Sequence, residues 1–291
     1  MRRVVLVLLT GAVGLLACSG VGVSAPGSSS DTQALRGLEP YVIGGDPVPD
    51  DKYRYVAALL NKNISGGPAF QQFCGGTLID RDSVLTAAHC FAGDAVNHPG
   101  RYRVLLGRAR LDDAGKGVSR DVKRIFRHPR FHFPNHDAAV LKLERPVRDV
   151  PRLALAPVSS GNRFERPGTS ATVAGWGAVN NRPTYPLRMQ ELVVPIVRDA
   201  YAQRVWPSKV GFRFYPKNMV AAGKATGENA CFGDSGGPLI KKVQRNGRVV
   251  PYQIGIVSGG SDPCAQAGVP TGYAEVNSTE ISPFIKDAAS R

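Results

Sequence analysis

The sequence has no apolar run long enough to form a membrane-spanning helix. Its main apolar stretch, residues 4–17, is shorter than the ~18–20 residues that a bilayer requires, so a polytopic membrane protein is excluded. Cysteine is scarce, with five in 291 residues, and no two are spaced as C-x-x-C. The sequence therefore predicts no zinc site of the usual spacing. It also contains no cofactor-binding motif, so no cofactor is expected.

A dense basic cluster is also missing, although the formal net charge is +14. Lysine and arginine are scattered singly and are not interleaved with aromatic residues. We therefore expect no nucleic-acid partner and interpret the charge as a solvated basic surface. With 43% hydrophobic and 21% charged residues, the chain can bury a core, which excludes a disordered protein.

The first residues have the anatomy of an export signal, since Arg2 and Arg3 precede the apolar stretch. Two processing sites compete. Residues 23–25 match ordinary signal peptidase, whereas residues 15–18 resemble a lipoprotein box in which Cys18 would carry a lipid anchor. We interpret residues 1–25 as the signal, ending at 17 in the lipoprotein case, and 26–41 as a pro-segment or tether. The protein is expected to be secreted and extracellular, or alternatively a cell-surface lipoprotein.

Four cysteines remain after the signal, an even number that favours two disulfides in an oxidising compartment. Four cysteines permit three pairings. The pairs closest in sequence are Cys74–Cys90 and Cys231–Cys264, and each would close a modest loop.

From residue 42 onward, short apolar or alternating runs are bounded by Gly, Pro, Asp or Asn, which is typical of strands. The eleven candidates are 54–60, 72–79, 83–88, 102–107, 122–126, 138–143, 170–176, 191–197, 236–243, 250–258 and 271–276. Helical periodicity is nearly absent, so an antiparallel all-β sandwich or barrel is expected. The Pro- and Gly-rich stretch 145–169 predicts two domains, 42–155 and 156–291. The one convincing helix is expected at about 279–290, with Ser278 or Thr279 as its cap.

The segment Gly233-Asp234-Ser235-Gly236-Gly237-Pro238 places a serine among glycines, where unshielded backbone amides can face a bound group. A serine nucleophile needs a base and a group that orients this base. Of five histidines, His98, His128, His132 and His136 lie in polar stretches, whereas His89 ends a strand beside Cys90. Asp137, directly before an apolar strand, is the best placed carboxylate to orient it.

Together these residues resemble the chymotrypsin-like serine endopeptidases, including the order His, Asp, Ser. The matching motifs are Val42-Ile43-Gly44-Gly45, Phe73-Cys74-Gly75-Gly76-Thr77-Leu78-Ile79, Thr86-Ala87-Ala88-His89-Cys90, Ala174-Gly175-Trp176-Gly177, Val194-Pro195-Ile196-Val197 and Gly233-Asp234-Ser235-Gly236-Gly237-Pro238. The resemblance covers residues 42–291. Cysteine pairs common in animal members are missing, so the chain looks like a bacterial, secreted member.

The resemblance implies two antiparallel six-stranded β-barrels with the active site in the cleft between them, followed by a short C-terminal helix. His89 and Asp137 would come from the first barrel and Ser235 from the second, with the amides of Gly233 and Ser235 forming the oxyanion hole. It also implies a zymogen. Cleavage after Tyr41 would release the ammonium of Val42, which would insert and pair with Asp234.

The family's specificity pocket maps onto Asn229, Ser258, Gly260 and Thr271. Its floor is Asn229 rather than aspartate, so a buried Arg or Lys of the substrate would find no counter-charge, and uncharged side chains are expected. Thr271 favours small or medium apolar residues, whereas autocatalytic cleavage after Tyr41 would require room for tyrosine. Gly259 stands in place of the customary tryptophan, which leaves both alternatives open.

The expected partner is a polypeptide substrate, with a protein inhibitor as a further partner, and the enzyme is expected to be a monomer. His132 and His136 lie near Asp137 and could suggest a metal-binding site. Pro134 lies between the two histidines and prevents the regular helix that would place both on one face, so no metal is expected. The alternative function is a catalytically silent protease fold that serves as a binding or adhesion module.

Overall fold

The computed structural model describes residues 43–180 and 184–291. The predicted export signal, Cys18, the pro-segment, Tyr41 and Val42 lie outside the described residues. In the part that is described, no helix has the length and apolar character needed to span a membrane.

The first seven strands of the described residues are β1 (Asp46–Pro47), β2 (Val56–Asn61), β3 (Gln72–Leu78), β4 (Ser83–Thr86), β5 (Tyr102–Leu106), β6 (Val118–Arg127) and β7 (Ala139–Leu143). The six strands β2 to β7 are antiparallel and form the first barrel, which closes on itself in the order β2-β3-β4-β7-β6-β5. The pairing of β2 with β5 closes the ring, and β1 belongs to the other sheet.

The next seven strands are β8 (Ala154–Leu155), β9 (Ser170–Gly175), β10 (Gln190–Val197), β11 (Met219–Ala222), β12 (Pro238–Arg245), β13 (Arg248–Gly259) and β14 (Thr271–Glu275). The six strands β9 to β14 are antiparallel and form the second barrel in the order β9-β10-β11-β14-β13-β12, which the pairing of β9 with β10 closes. The predicted pair of six-stranded barrels is confirmed. Two short strands are added at its edge, β1 on β10 and β8 on β13, and β8 is parallel to its partner.

The helices among the described residues are short. They are α1 (Pro68–Gln71), α2 (Asp199–Lys209), α3 (Ile281–Ser290) and four 3-10 helices, Ala88–Phe91, Gly93–Asn97, Pro99–Arg101 and Val158–Arg163. The predicted C-terminal helix exists but begins at Ile281, and the hydroxyl of Ser278 accepts the amides of Glu280 and Ile281 just before it.

The expectation of a single convincing helix was wrong, because α2 is a second one. It contains Pro207 and buries only Ala202 and Trp206, so it lacks the apolar periodicity that reveals a helix in a sequence.

The apolar core joins the two barrels. One cluster combines first-barrel residues such as Leu59 and Leu141 with Trp176 of the second, and another combines Leu85 and Val140 with the interior of the second barrel. The indole nitrogen of Trp176 donates to the carbonyl of Ala109 at 2.9 Å. The interface between the barrels is therefore packed, and it provides a rigid frame for groups that come from both.

Two carboxyl groups of the second barrel, Glu165 and Glu275, lie close enough for each to affect the pKa of the other. Burial raises the pKa of both above the ordinary 4.5, and mutual repulsion adds to the effect on Glu275. The folded chain therefore holds protons that the unfolded chain releases. The stabilising effect is present below pH 4.5 and is lost as the pH rises through the raised pKa values.

Replacing Glu275 by glutamine is expected to flatten this pH dependence. In thermal unfolding, the midpoint temperature of the wild type should fall more between pH 5 and pH 8 than that of Glu275→Gln. Each kcal/mol of stability that only the wild type loses should lower its midpoint by roughly 2–4 °C. Glu144→Gln, at an exposed site, is the control and should behave as the wild type. Parallel curves for wild type and Glu275→Gln would contradict the prediction.

Candidate active site

His89 and Asp137 meet at one end of the first barrel. His89 lies in the 3-10 helix that follows β4, and Asp137 lies two residues before β7, the neighbour of β4 in the sheet. The ring Nδ1 of His89 lies 2.7 Å from Oδ2 of Asp137, and its backbone amide donates to Oδ1 at 2.8 Å. Two contacts therefore fix both the ring and the backbone of the histidine to one carboxylate.

The carboxylate of Asp137 is fully buried and accepts a third hydrogen bond, at 2.6 Å, from the hydroxyl of Ser258 on β13. Burial lowers the pKa of His89, but the charge and hydrogen bond of Asp137 outweigh this effect, so the pKa is raised above the ordinary 6.5. The pair therefore favours a protonated imidazole. Sequence reasoning placed Ser258 on the pocket wall and missed its contact with Asp137.

Ser235 lies in the tight turn before β12 in the second barrel. A side chain at Gly236 would place its Cβ 2.2 Å from the hydroxyl oxygen of Thr86, so only glycine allows this close approach to the first barrel. The carbonyl of Ser235 accepts the amide of Gly75 at 2.7 Å. His89 and Ser235 line one cavity of about 330 Å³, so the structure brings the predicted base and nucleophile into the same cleft.

The turn before Ser235 exposes two backbone amides. The carbonyl of Phe232 accepts the amide of Ala178 at 2.7 Å, and that of Asp234 accepts the amide of Gly237 at 2.8 Å. Because the C=O and N–H of a trans peptide point in opposite directions, the amides of Gly233 and Ser235 are turned away from these partners. Neither amide donates a hydrogen bond within residues 43–180 and 184–291.

Asp234 points away from the cleft into the interior, where it is 1% exposed. Its carboxylate accepts the amides of Gly177 at 2.8 Å and Cys231 at 3.0 Å. Burial raises the pKa of Asp234 to about 6, against the opposing effect of the two amides. A Cβ on Gly175 or Gly177 would lie 2.3 Å from this carboxyl group, so neither position has room for a side chain.

Three of the four predicted pocket residues, Ser258, Gly260 and Thr271, line the cavity, whereas Asn229 is not among its lining residues. Asn229 is 2% exposed, and its amide donates to the carbonyl of Val269 at 3.0 Å. The cavity also contains one carboxylate, the exposed Asp262 at its rim.

Two aromatic residues that sequence reasoning missed, Phe133 and Phe212, also line the cavity. The ring of Phe133 packs edge to face on His89, with centroids 5.6 Å apart, and on Phe212 at 4.9 Å. A Cβ on Gly259 would lie 3.1 Å from Phe133. The missing side chain at Gly259 therefore leaves space that Phe133 occupies, which no local sequence signal reveals.

Both expected disulfides are present. The Cα atoms of Cys74 and Cys90, the latter next to His89 in the sequence, are 6.4 Å apart. Those of Cys231 and Cys264, which both line the cavity, are 5.5 Å apart. One group of possible metal ligands occurs among the described residues, Cys74, His89 and Cys90, and both of its cysteines belong to this disulfide.

Two histidines placed in polar stretches by the sequence, His128 and His136, are in fact buried, at 4% and 6% exposure. Their rings stack with centroids 4.7 Å apart, and both rings lie within hydrogen-bond distance of Glu280 in the second barrel.

Known proteins with similar sequences identify the family of this chain. The family model described as Trypsin matches residues 42–285. A trypsin-like protease of Streptomyces glaucescens is 36% identical over 94% of this chain and 90% of its own length. A trypsin of Saccharopolyspora erythraea is 32% identical over 81% of this chain and 93% of its own, and human kallikrein-14 is 32% identical over 82% and 81%. Bacterial proteins are among these relatives. The chain therefore belongs to the trypsin family of chymotrypsin-like serine endopeptidases and is a peptide-bond hydrolase.

Proposed function

We propose that Ser235 is the nucleophile, His89 the general base and acid, and Asp137 the group that orients His89. The observation that carries this assignment is the 2.7 Å contact between Nδ1 of His89 and the buried Asp137. It leaves Nε2 as the ring nitrogen that can exchange a proton, in a cavity that Ser235 shares.

The reaction proceeds through an acyl-enzyme. The hydroxyl oxygen of Ser235 attacks the substrate carbonyl while Nε2 of His89 takes its proton, and the amides of Gly233 and Ser235 bind the oxyanion of the tetrahedral intermediate. His89 then protonates the leaving amine as the C–N bond breaks. In the second step, His89 takes a proton from water, which attacks the ester, and returns that proton to the oxygen of Ser235 as the acid product leaves. Asp137 holds the tautomer of His89 and stabilises its imidazolium form.

Labelling by a fluorophosphonate tests this assignment against a catalytically silent binding or adhesion module. The reagent is expected to modify Ser235, and His89→Ala should abolish labelling because the serine then lacks its base. His98→Ala, an exposed histidine paired with Asp94, is the control and should be labelled as the wild type. A correctly matured protein that remains unlabelled at Ser235 would favour the silent module.

For the substrate, we propose a preference for uncharged residues before the scissile bond, elastase-like or chymotrypsin-like. Asn229 supports this, because it is uncharged and directly precedes Ala230 and Cys231, which line the cavity. The carboxylate of Asp262, which also lines the cavity, is exposed to solvent that screens its charge. Relatives named trypsin provide the competing expectation of Arg or Lys. A peptide library separates the two, and a preference for Arg or Lys would overturn the proposal.

Asn229→Asp is expected to shift this preference toward Arg and Lys by at least about tenfold in kcat/KM, since an unpaired buried cation costs several kcal/mol. Asn246→Asp adds the same charge on an exposed hairpin turn and should leave the library profile unchanged. If both variants behave alike, position 229 does not govern the preference.

The remaining sequence predictions concern maturation and location, and they are retained as proposals. The chain is exported, cleaved after Tyr41 and secreted, or alternatively anchored through a lipid on Cys18. Its two disulfides support an oxidising compartment. Mass spectrometry of the mature N-terminus distinguishes signal peptidase cleavage, lipidation and release at Val42. A protein inhibitor, a monomeric state and the domain boundaries 42–155 and 156–291 stay predictions.

A further inference from the structure

A second polar cluster lies directly behind Asp137. Its centre is His136, whose ring Nε2 lies 2.5 Å from Oε2 of Glu280. The same carboxylate oxygen accepts the side-chain amide of Asn218 at 3.1 Å and lies 3.2 Å from the guanidinium of Arg130. His128 completes the cluster by stacking on His136. We call these five residues the His136 cluster.

The His136 cluster joins the two barrels. His128, Arg130 and His136 belong to the connection between β6 and β7, which also carries Asp137. Asn218 precedes β11, and Glu280 lies between β14 and α3, so both belong to the second barrel, which carries Ser235. A hydrogen bond between the side chains of Asn135 and Asn218, at 2.9 Å, strengthens the same connection.

His136 also determines the turn that presents Asp137. Its φ of +55° lies in the left-handed region, which is uncommon for a residue other than glycine. Its carbonyl accepts the amide of Ala138 at 2.9 Å, so the turn closes around Asp137. A residue held in this conformation persists because its surroundings over-determine it, and here those surroundings are the ring of His128 and the carboxylate of Glu280.

We propose that His136 and Glu280 are positioning residues for the reaction. Their contact holds the turn 135–138 against the second barrel, so that Asp137 keeps His89 aligned with Ser235. This inference rests on the proposed function, in which Asp137 orients His89. The groups that face His136 are Glu280, His128, Arg130 and Asn218, and Glu280 alone among them connects the turn to the second barrel by a charge.

Glu280→Ala in the mature enzyme tests the proposal. It should lower kcat by roughly 10- to 100-fold, the effect of a misalignment of about 1 Å, with KM changed less than about twofold. A weaker contact between Asp137 and His89 also lowers the pKa of His89, so the acid limb of the kcat/KM profile should move to lower pH. The ¹H NMR resonance of the Nδ1 proton of His89 should move upfield. A merely structural role would change neither the acid limb nor this resonance.

Two further variants keep the test decisive. Glu280→Gln retains an acceptor for His136 and should fold even if Glu280→Ala does not. Its kcat, the acid limb of its kcat/KM profile and its His89 resonance should lie between those of the wild type and Glu280→Ala. Asp287→Ala removes an exposed carboxylate from α3 that pairs with Arg291, and it should match the wild type. Wild-type kcat in Glu280→Ala and Glu280→Gln, or a lower kcat with an unchanged His89 resonance and acid limb, overturns the proposal.

Asp137→Asn separates this result from the proposed function. If Asp137→Asn keeps wild-type kcat/KM, the assignment of the triad fails. If Asp137→Asn is inactive while both Glu280 variants are normal, the triad stands and only the positioning role of His136 and Glu280 fails.

Discussion

Replacing Ser235 by alanine is expected to lower kcat/KM for peptide hydrolysis by about 10⁴- to 10⁶-fold, the range found for serine or histidine removal in other serine proteases. The variant keeps the backbone amides at positions 233 and 235 but cannot form the acyl-enzyme. Ser208→Ala, at an exposed position of α2, is the matched control and should retain full activity. Steady-state kinetics on a peptide taken from the library measure both variants.

The triad also predicts that losses at Ser235 and His89 are not additive. Because the base has no function without the nucleophile, the double variant Ser235→Ala/His89→Ala should be no slower than either single variant. A product of the two separate losses, or more than about 1% of wild-type activity in Ser235→Ala, would contradict the proposed mechanism.

A chain that begins at Val42 is expected to be active, whereas the same chain with Tyr41 in front should be slower by roughly 10²-fold or more. The reason lies in Asp234, a buried carboxylate that two amides stabilise and whose pKa is nevertheless raised to about 6. An ammonium beside it would supply the missing counter-charge. The turn from Cys231 to Ser235 would then be fixed with its amides toward the cleft.

This comparison requires two proteins that differ by one residue at the N-terminus, each released from a common leader by a site-specific protease. Titration with a fluorophosphonate counts active sites in both. The Val42 chain carrying Asp234→Asn should resemble the Tyr41 chain, because it lacks the carboxylate rather than the ammonium. Equal turnover of the Val42 and Tyr41 chains would overturn the zymogen proposal.

The strands could be predicted from the sequence because most of them alternate or are wholly apolar. All eleven candidates correspond to strands, for example 138–143 to Ala139–Leu143 and 170–176 to Ser170–Gly175. The strands that escaped are β1, β8 and β11, which have two to four residues. β1 and β8 are too short to have a period of their own, and β11 is a short apolar run that periodicity does not distinguish from another buried segment. Each of the three becomes a strand through the neighbour with which it pairs.

The candidate site was predictable where a residue's role depends on its immediate neighbours. His89 beside Cys90 and Ser235 among glycines are of this kind. The hydrogen bond from Ser258 to Asp137 links residues 121 positions apart, and the direction of the Asn229 amide depends on the carbonyl of Val269. These contacts arise from the packing of the two barrels, about which a local pattern contains no information.

The proposed triad is divided between the two barrels, and this division has a consequence for the loss of activity. Each disulfide in the described chain lies within one barrel, Cys74–Cys90 in the first and Cys231–Cys264 in the second. Between the halves, the described residues form no disulfide, and the contacts are packing, hydrogen bonds and ion pairs such as that of Arg130 with Glu280. If cleavage in the connection 145–169 separated the halves, each fragment would keep its own disulfide but lack part of the proposed triad, so neither fragment would turn over substrate.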